Sequence, residues 1–441
     1  MSLIDLDALE ALTGGGESLA AFRHVRRWLY DDTLYTPVPV QSYSDAPKAR
    51  LSSAHIARLI EVGTIRRIDP IEVRGHVDMF KVPEPAKRRW RPIKHPKLIN
   101  EVLDRDTLLK LRFPSKKDII QLVHRGRHMI SLDMSSYFDQ FAYSDDVAKR
   151  FCFRHGGEFY RLAKLAMGQR AAVEVAQKCT ERLLDFNPSC AVESIIDNVI
   201  FVSDNLEDVI RDATTFVERV QAVGAQLNED VSDIPALACS SGEWCGLQLD
   251  LAAKTVQLAK KTVDKTQVSW ANRRSWTCRQ FAAHVGLLWW SHGIIDVSVA
   301  DFFPLLRFIS RVGTMLTDAP AMWDEPIYVW PSVWDSLERW TTLLLRNQPR
   351  RVVAPSLPQW VMATDASAWG WGYFAFNNAS GEIRAHGERW SRAFVQRVGE
   401  QLGRSTFSEP QAIRQSLCHL LRVGDPQHVV ILTDNTVAQA S

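Results

Sequence analysis

The sequence predicts an α+β protein with more than one hydrophobic core. Between about residues 115 and 260, short β-rich runs alternate with helical runs, which is typical of packed layers of sheet and helix. A proline-containing stretch at 352–359 precedes a new β-rich run, so we expect a domain boundary near residue 350. The 441 residues are 46% hydrophobic and 24% charged, a globular composition with apolar material for several cores.

Net charge, cysteine content and the lengths of the apolar runs argue against several classes of protein. The chain has 53 Lys and Arg against 51 Asp and Glu, a net charge of +2, so any anion-binding surface has to be local. Its seven cysteines include no C-x-x-C pair, which argues against a disulfide framework or a zinc site and favours a reducing compartment. The start of the chain is acidic, and no run reaches about 18 apolar residues. We therefore expect no membrane span and a soluble intracellular protein, cytoplasmic or nuclear.

Five segments follow one another along the chain. An N-terminal extension of helical character precedes a segment with a helix and a basic stretch. Alternating strands and helices come next, then a tryptophan-rich helical segment and a second β-rich unit. We place their bounds at 1–45, 46–113, 114–260, 261–350 and 351–441.

The second segment predicts two particular elements. Residues 51–67 have helical periodicity, with Ser52 or Ser53 as the cap. The stretch 81–100 holds seven Lys and Arg against one acid, and its prolines favour an extended or hairpin conformation. Such a basic run is either a solvated face or a surface for phosphates.

Two aspartates stand where apolar runs end. Met129, Ile130 and Leu132 predict a short strand that ends at Asp133. Further along, apolar runs on either side of Asp197 and Asn198 predict a β-hairpin with Asp197 at its tip. Taken singly, either acid fits an ordinary turn residue.

Taken together, the two carboxylates could converge on one edge of a sheet. A pair of divalent cations about 4 Å apart would relieve their repulsion and clamp the entering and leaving oxygens in phosphoryl transfer. Mg²⁺ suits a site made of one or two carboxylates plus substrate phosphates, with Mn²⁺ as a substitute.

The last segment repeats the pattern of acids at the ends of elements. The strand at 360–365 ends at Asp365, and the apolar run at 428–433 is followed by Asp434. Between them, Ser408 predicts the cap of a helix that begins at Glu409 and Pro410.

The collinear motifs resemble those of reverse transcriptases. LDMSSYFDQF (132–141) is similar to the first palm motif, LAMGQRAAVEVAQ (165–177) to the motif that supports the templating base, and IIDNVIFVSD (195–204) to the Y-x-D-D hairpin. RWRPIKHPKLIN (89–100) is similar to a triphosphate-binding strand of the fingers, and VGAQLNED (223–230) to the last palm motifs. With residues 277–311, the set resembles the tyrosine-recombinase retroelements, the DIRS-type family and its VIPER relatives, over roughly residues 50–441.

This resemblance implies a right-hand polymerase, with fingers at 46–113, a palm with an inserted fingers segment at 114–260, and a thumb and connection at 261–350. It also implies a role for each matching residue. The implied roles are metal ligation by Asp133 and Asp197 with Asn198 as a weak auxiliary ligand, exclusion of ribose by Phe138, support of the templating base by Gly168 and Gln177, and triphosphate binding by Arg91 with Lys87 of the basic run.

The sequence departs from the family pattern at three positions. Asn198 replaces the usual second aspartate of the hairpin, Ile195 replaces its tyrosine, and Met167 stands where many retroviral-type enzymes have glutamine. Asparagine coordinates a cation through its carbonyl oxygen more weakly than a carboxylate does. We therefore expect one anionic ligand fewer than usual.

The C-terminal acids resemble part of another site. Asp365, Glu409 and Asp434 are similar to the first three of the four carboxylates of the ribonuclease H fold, which implies two-metal hydrolysis of the RNA strand of a hybrid. The sequence ends at Ser441, before a fourth acid. We therefore expect an incomplete ribonuclease H-like α/β domain at 351–441.

The combined prediction is an RNA-directed DNA polymerase of a retrotransposon, with two Mg²⁺ ions at each active site. Its expected partners are an RNA template, a DNA primer, RNA–DNA hybrid and deoxynucleoside triphosphates; the oligomeric state is left open. One alternative is a decayed or domesticated copy that binds hybrid without catalysis. Another is an RNA-dependent RNA polymerase, which Phe138 and the ribonuclease H-like region argue against.

Two further features have predominantly structural interpretations. The cluster Trp270, Trp276, Trp289 and Trp290 is assigned to the core of the thumb rather than to a base-stacking platform. His284 has no metal-ligand spacing and is assigned a structural role.

Overall fold

The computed structural model describes residues 3–36, 50–84, 89–295, 297–352, 359–423 and 428–433. Two predicted site residues, Lys87 and Asp434, lie outside these ranges. The chain divides into two compact units, 1–353 and 354–441. Both units combine helices with sheets, which confirms the α+β class.

The first unit contains twelve α-helices and twelve strands within the described residues. The helices are α1 (Leu6–Ala11), α2 (Glu17–Tyr30), α3 (Ser53–Glu61), α4 (Lys97–Val102), α5 (Lys116–Arg125), α6 (Asp145–Ala148), α7 (Ala172–Leu183), α8 (Leu206–Ala222), α9 (Lys260–Ala271), α10 (Cys278–Ser291), α11 (Phe303–Asp318) and α12 (Pro331–Arg346). The strands are β1 (Ile65–Arg67), β2 (Asp78–Glu84), β3 (Arg89–His95), β4 (His128–Asp133), β5 (Cys152–His155), β6 (Glu158–Leu162), β7 (Ala191–Ile195), β8 (Asn198–Ser203), β9 (Ser241–Trp244), β10 (Leu247–Asp250), β11 (Thr255–Leu258) and β12 (Arg350–Arg351).

A three-stranded antiparallel sheet in the order β4-β8-β7 lies at the centre of this unit. It is buried on both faces, because Leu132 and Phe201 pack into one apolar cluster while Met129 and Val202 pack into another. Burial on both faces explains why the strands read as nearly continuous apolar runs. The other sheets have the orders β1-β6-β5, β12-β11-β10-β9 and β2-β3.

The basic stretch forms the predicted hairpin, since β2 and β3 pair antiparallel. The helix expected over 51–67 is shorter than predicted. It ends at Glu61, after which Gly63 adopts φ +68° and the chain enters strand β1. A residue in the left-handed region cannot continue a right-handed helix. The helix therefore ends before the periodic sequence pattern does. Ser52 caps the helix, and its Oγ accepts from the His55 N–H at 3.4 Å.

The N-terminal helices belong to the first core. Arg182 is fully buried, forms an ion pair with Asp185 at 2.9 Å and donates to the carbonyl oxygens of Glu10 and Leu12. Arg219 donates to the Thr13 carbonyl oxygen at 3.0 Å. These bonds fasten the link between α1 and α2 to helices α7 and α8.

Helices α9 to α12 confirm the predicted helical segment. Trp276 is 3% exposed and lies in the core, as predicted, but the assignment is wrong for Trp289, which is 48% exposed. His284 is fully buried, with its two ring nitrogens 3.0 Å from the hydroxyl oxygens of Ser269 and Thr341. His284 is therefore structural, as predicted.

The second unit is a mixed four-stranded sheet with helices. Its described elements are β13 (Trp360–Ala366), β14 (Gly370–Asn377), β15 (Ile383–Arg389), α13 (Arg392–Val398), α14 (Ser405–Val423) and β16 (Val429–Leu432). The strand order is β15-β14-β13-β16, with β13 and β16 parallel, and α14 packs against β13 and β14. Across the described parts of both units, no helix is long and apolar enough to span a bilayer.

Helix α14 corrects a predicted start. The sequence predicted a helix beginning at Glu409 with Ser408 as its cap, but the helix begins at Ser405. The Arg404 carbonyl oxygen accepts from the N–H groups of Phe407 and Ser408 at 2.9 Å, so a first turn forms before the predicted cap. Ser408 Oγ donates to the same carbonyl oxygen at 3.1 Å instead of capping.

Candidate active site

Asp133 ends strand β4 at the edge of the buried region. Leu132 is 1% exposed, whereas Asp133 is partly buried. Asp133 lies opposite Asn198 in the ladder, and the Met134 N–H donates to the Asp197 carbonyl oxygen at 2.9 Å. That bond makes Met134 and Asp197 a hydrogen-bonded pair of the antiparallel ladder. The adjacent pair, Asp133 and Asn198, is therefore a non-hydrogen-bonded pair. The side chains of such a pair lie close together on one face of the sheet.

The hairpin of β7 and β8 forms as predicted, with Asp197 in its turn. The turn itself lies one residue earlier than predicted. Its two residues are Ile196 and Asp197, and Asn198 is the first residue of β8, paired with Ile195. Ile196 adopts φ +57°, a conformation that a β-branched residue rarely takes.

Helix α7 holds this turn in place. The Ile196 N–H donates to Gln177 Oε1 at 2.7 Å, and the Ile196 carbonyl oxygen accepts from Thr180 Oγ1 at 2.6 Å. A left-handed residue of this kind costs about 1–3 kcal/mol, which these two bonds offset. Gln177 is 2% exposed, so the structure places this predicted template-side residue beneath the turn that carries Asp197.

Two asparagines bind the two aspartates. Asn198 Nδ2 donates to Asp197 Oδ1 at 3.1 Å, and the side-chain amide of Asn228 donates to Asp133 Oδ2. The Asn228 N–H also donates to the Asp133 carbonyl oxygen at 2.8 Å, and Glu229 Oε2 accepts from the Asp133 N–H at 2.9 Å. Sequence reasoning did not single out Asn228 or Glu229. Their position in the stretch 223–230, matched to the last palm motifs, was the available signal.

The thiol of Cys245 is close enough to both acids to be affected by their negative charges. Cys245 and Gly246 form the turn between β9 and β10, with φ of +48° and +80°. Burial first, and then the negative charges of Asp197 and Asp133, raise the pKa of the Cys245 thiol to about 12. Both carboxylates therefore lie within electrostatic range of one atom, and the β9–β10 turn stands beside the site.

The donor set fits a hard divalent cation. Asp133 and Asp197 offer carboxylate oxygens and Asn198 an amide oxygen, which are the ligand types that Mg²⁺ takes. Within the described residues, no group of three or more His, Cys, Asp or Glu side chains surrounds one point. A cation held here would complete its coordination with water and substrate phosphates, as Mg²⁺ does at sites with one or two carboxylates.

Phe138 stands five residues after Asp133 in a short 3₁₀ helix, Tyr137–Gln140. The adjoining Tyr137 ring is buried, and its hydroxyl lies 3.3 Å from the Ala176 carbonyl oxygen and 3.0 Å from Thr180 Oγ1. Phe138 is partly buried against the first core. Tyr137 thus fixes the 3₁₀ helix on α7 and, with it, the place of the Phe138 ring.

The turn at Gly168 touches the β2–β3 hairpin. A Cβ at Gly168 would lie 2.7 Å from the Lys94 carbonyl oxygen, so a residue without a side chain is required at this approach. Asn100 Nδ2 donates to the Gly168 carbonyl oxygen at 2.8 Å, and Lys94 Nζ contacts Asp139 Oδ1 at 2.5 Å. Lys94 and Asn100 are linking residues that sequence reasoning missed.

Arg91 lies on the β2–β3 hairpin, in a different sheet from β4 and β8. It is exposed on β3, opposite Val82. Arg91 and Lys94 project to opposite faces of the strand, because side chains alternate along it. Triphosphate binding by Arg91 stays a prediction.

Two of the three C-terminal acids lie in the described part of the second unit. Asp365 is exposed near the end of β13, and its Oδ1 accepts from the Ala366 N–H at 2.8 Å. Glu409 is 7% exposed on α14, the helix that packs on β13. The two acids therefore lie on neighbouring elements, and a metal site between them stays a prediction.

No protein-family model matches the chain, and no curated protein is similar to it. Several solved structures are similar to the chain. The foamy viral protease-reverse transcriptase in complex with an RNA/DNA hybrid has a TM-score of 0.52 at 12% identity; the match covers 96% of this chain and 56% of that one. The same kind of protein in complex with double-stranded DNA has a TM-score of 0.53 at 12% identity, over 98% of this chain and 96% of that one.

The fold is that of a reverse transcriptase. A third structure, the dRH form of the foamy viral protein with double-stranded DNA, agrees at a TM-score of 0.51 and 12% identity, over 99% of this chain and 75% of that one. At 12% identity the likeness shows the architecture alone. Membership of the tyrosine-recombinase retroelements stays a prediction.

Proposed function

We propose that the chain is an RNA-directed DNA polymerase of a retroelement. The observation that carries the proposal is that Asp133 ends β4 directly beside the β7–β8 turn that carries Asp197, in a fold shared with reverse transcriptases. The nucleic-acid complexes of the foamy viral proteins support an RNA template, a DNA primer and their hybrid as partners.

The reaction would be nucleotidyl transfer. The primer 3′-hydroxyl oxygen forms a bond to the α-phosphorus of a deoxynucleoside triphosphate, the bond from that phosphorus to the β-phosphate bridging oxygen breaks, and pyrophosphate leaves while the hydroxyl proton passes to solvent. Asp133 and Asp197 would hold two Mg²⁺ ions, with Asn198 as a weaker ligand. When bound, such ions stabilise the charge on the attacking and leaving oxygens.

The other residues would position the substrates. Phe138 would close the sugar site against a 2′-hydroxyl, and Arg91, with Lys87, would contact the triphosphate. Gly168 would let the turn between β6 and α7 pack closely against the β2–β3 hairpin, and this turn would support the templating base. Gln177 would act by holding the Asp197 turn, since its contacts run to Ile196 and Ser194.

The test is incorporation of one nucleotide into a DNA primer on an RNA template in the presence of Mg²⁺. We expect a product with deoxynucleoside triphosphates and little with ribonucleotides. Efficient ribonucleotide incorporation would contradict the assignment and favour an RNA polymerase.

A second candidate is a copy that binds hybrid without catalysis. Asn198 stands where the family pattern has a second aspartate, which leaves Asp197 as the one acid of the hairpin turn, and this favours the second candidate. Salt-sensitive binding of hybrid without any Mg²⁺-dependent incorporation would establish this candidate over the enzyme.

For the second unit we propose a ribonuclease H-like role on RNA–DNA hybrid, with Asp365 and Glu409 as metal ligands and Asp434 as the third. Its support is the four-stranded sheet with α14 across β13 and β14. Cleavage of the RNA strand of a labelled hybrid that is lost in Asp365→Asn would support it, and cleavage unaffected by that change would contradict it.

A further inference from the structure

A small cavity in the first unit has three basic side chains in its lining. Its volume is about 70 Å³, and Arg66, Arg161 and Lys164 line it against one acid, Asp145. The cavity lies beside the turn at Gly63 that leads into β1. It is separate from the residues assigned to nucleotidyl transfer.

The arrangement of the two arginines is unfavourable in itself. Arg66 and Arg161 lie directly opposite each other on β1 and β6, and like charges in that position destabilise a sheet. Arg161 is compensated by Asp145, whose Oδ1 lies 2.9 Å from its Nη1. Arg66 is exposed at the cavity.

The third cation, Lys164, is buried, and burial of a charged group costs free energy. Lys164 is 5% exposed and its Nζ donates to the Val62 carbonyl oxygen at 3.1 Å. Burial lowers the pKa of the Lys164 ammonium group, Asp139 raises it and Lys94 lowers it. An anion in the cavity would offset both the burial of Lys164 and the repulsion between the arginines.

We propose that this cavity binds a backbone phosphate of the single-stranded template, which rests on the polymerase function proposed above. Lys164 is four residues from Gly168, so the two Cα atoms are at most about 14 Å apart. The cavity therefore lies within a few nucleotides of the turn assigned to the templating base. Two arginine guanidinium groups and an ammonium group match the oxygens of a phosphodiester.

The test compares two neighbouring arginines. Arg66→Gln removes a cavity cation, and Arg67→Gln removes a cation that is also exposed, on the opposite face of the same strand. The measured quantity is the dissociation constant of the full chain for a DNA primer on an RNA template, with either a long unpaired 5′ overhang or a single unpaired nucleotide. The measurement is repeated over a range of KCl concentrations.

We expect the wild type and Arg67→Gln to bind the long overhang more tightly than the short one, and Arg66→Gln to lose most of that gain. The slope of log affinity against log salt should fall by about 0.7 in Arg66→Gln, the value for one phosphate contact on a single strand. Equal losses in both variants, or an undiminished gain in Arg66→Gln, would overturn the proposal.

Two further arms identify the source of the phosphate. An overhang with a neutral methylphosphonate backbone should bind no more tightly than the short template. If inorganic phosphate raises the melting temperature of the wild type but not of Arg66→Gln, while the overhang gain is independent of Arg66, the cavity takes free phosphate and the template assignment is wrong. These binding measurements need no nucleotide incorporation, so they stay informative if the polymerase assay fails.

Discussion

Asn198 provides a hydrogen-bond donor to one of the two aspartates of the candidate site. Its side-chain amide donates to Asp197, so a hydrogen bond holds that carboxylate in addition to any bound cation. Asn228 does the same for Asp133. Amide donors stabilise neighbouring carboxylates and lower the need for a metal in the resting protein.

Asn198→Asp should make the protein depend more strongly on Mg²⁺. The change replaces a donor to Asp197 with a third negative charge, which should lower the free energy of unfolding in EDTA by about 1–3 kcal/mol. Added Mg²⁺ should restore it, and half-maximal nucleotide incorporation should need less Mg²⁺ than in the wild type. Thermal unfolding with and without Mg²⁺ measures the effect.

Asn205→Asp is the matched control. Asn205 caps α8 through its Oδ1, and aspartate caps a helix as well as asparagine does. Its unfolding should be insensitive to Mg²⁺. If Asn198→Asp behaves like Asn205→Asp, the residues at 197 and 198 do not share a cation site.

Gln177 should matter for rate through the turn that it supports. Gln177→Met keeps the side-chain length but leaves the Ile196 N–H without its acceptor, a loss of about 1–3 kcal/mol. We expect incorporation to slow by about tenfold or more, with little change in affinity for the primer–template. Gln221→Met, at an exposed position of α8, should leave the rate unchanged. A primer–template affinity that falls in step with the rate would contradict a role limited to the turn.

At the scale of elements, the strands were predictable and the turn was not. The apolar runs before Asp133 and after Asn198 fix β4 and β8, because a sheet buried on both faces needs such runs. The turn moved to Ile196 and Asp197 because Gln177 and Thr180, distant in sequence, bind the Ile196 backbone. A local pattern carries no information about such partners.

The same limit applied at the helix ends and in the stretch 223–230. Gly63 ended α3 early, and α14 began before its predicted cap. Asn228 and Glu229 reached Asp133 through the pairing of Met134 with Leu227, a contact between residues far apart in the chain. Sequence reasoning therefore found the acids but missed the groups that position them.

The α9–α12 bundle should lose stability in mild acid through His284. Burial lowers the pKa of His284 to about 4, so the folded protein keeps the ring neutral while the unfolded chain takes up a proton below the ordinary pKa of 6.5. The stability that His284 contributes is present above pH 6.5 and falls as the pH drops towards 4. The full loss would be roughly 3 kcal/mol.

Urea unfolding followed by tryptophan fluorescence between pH 7 and 5 would check this. We expect His284→Gln to remove part of the pH dependence, whereas His292→Gln, at the end of the same helix, should retain it. Identical pH profiles for His284→Gln and the wild type would show that His284 is not held neutral.

At the scale of the whole molecule, the two sets of acids belong to separate units. Asp133 and Asp197 lie in residues 1–353, and Asp365 and Glu409 in residues 354–441. We therefore expect Asp365→Asn to leave nucleotide incorporation within about twofold of the wild type, since surface changes away from a site rarely alter its energetics. A large loss of incorporation in Asp365→Asn would show that the polymerase site depends on the second unit.

The most direct measurement is single-turnover incorporation of one deoxynucleotide by the wild type, Asp133→Asn, Asp197→Asn and the control Asp204→Asn. Asp204 is exposed just beyond the far end of β8. The proposal predicts that either active-site change slows incorporation by about 10³-fold or more, the loss of several kcal/mol of metal stabilisation, while Asp204→Asn matches the wild type. Wild-type rates in Asp133→Asn or Asp197→Asn would contradict it.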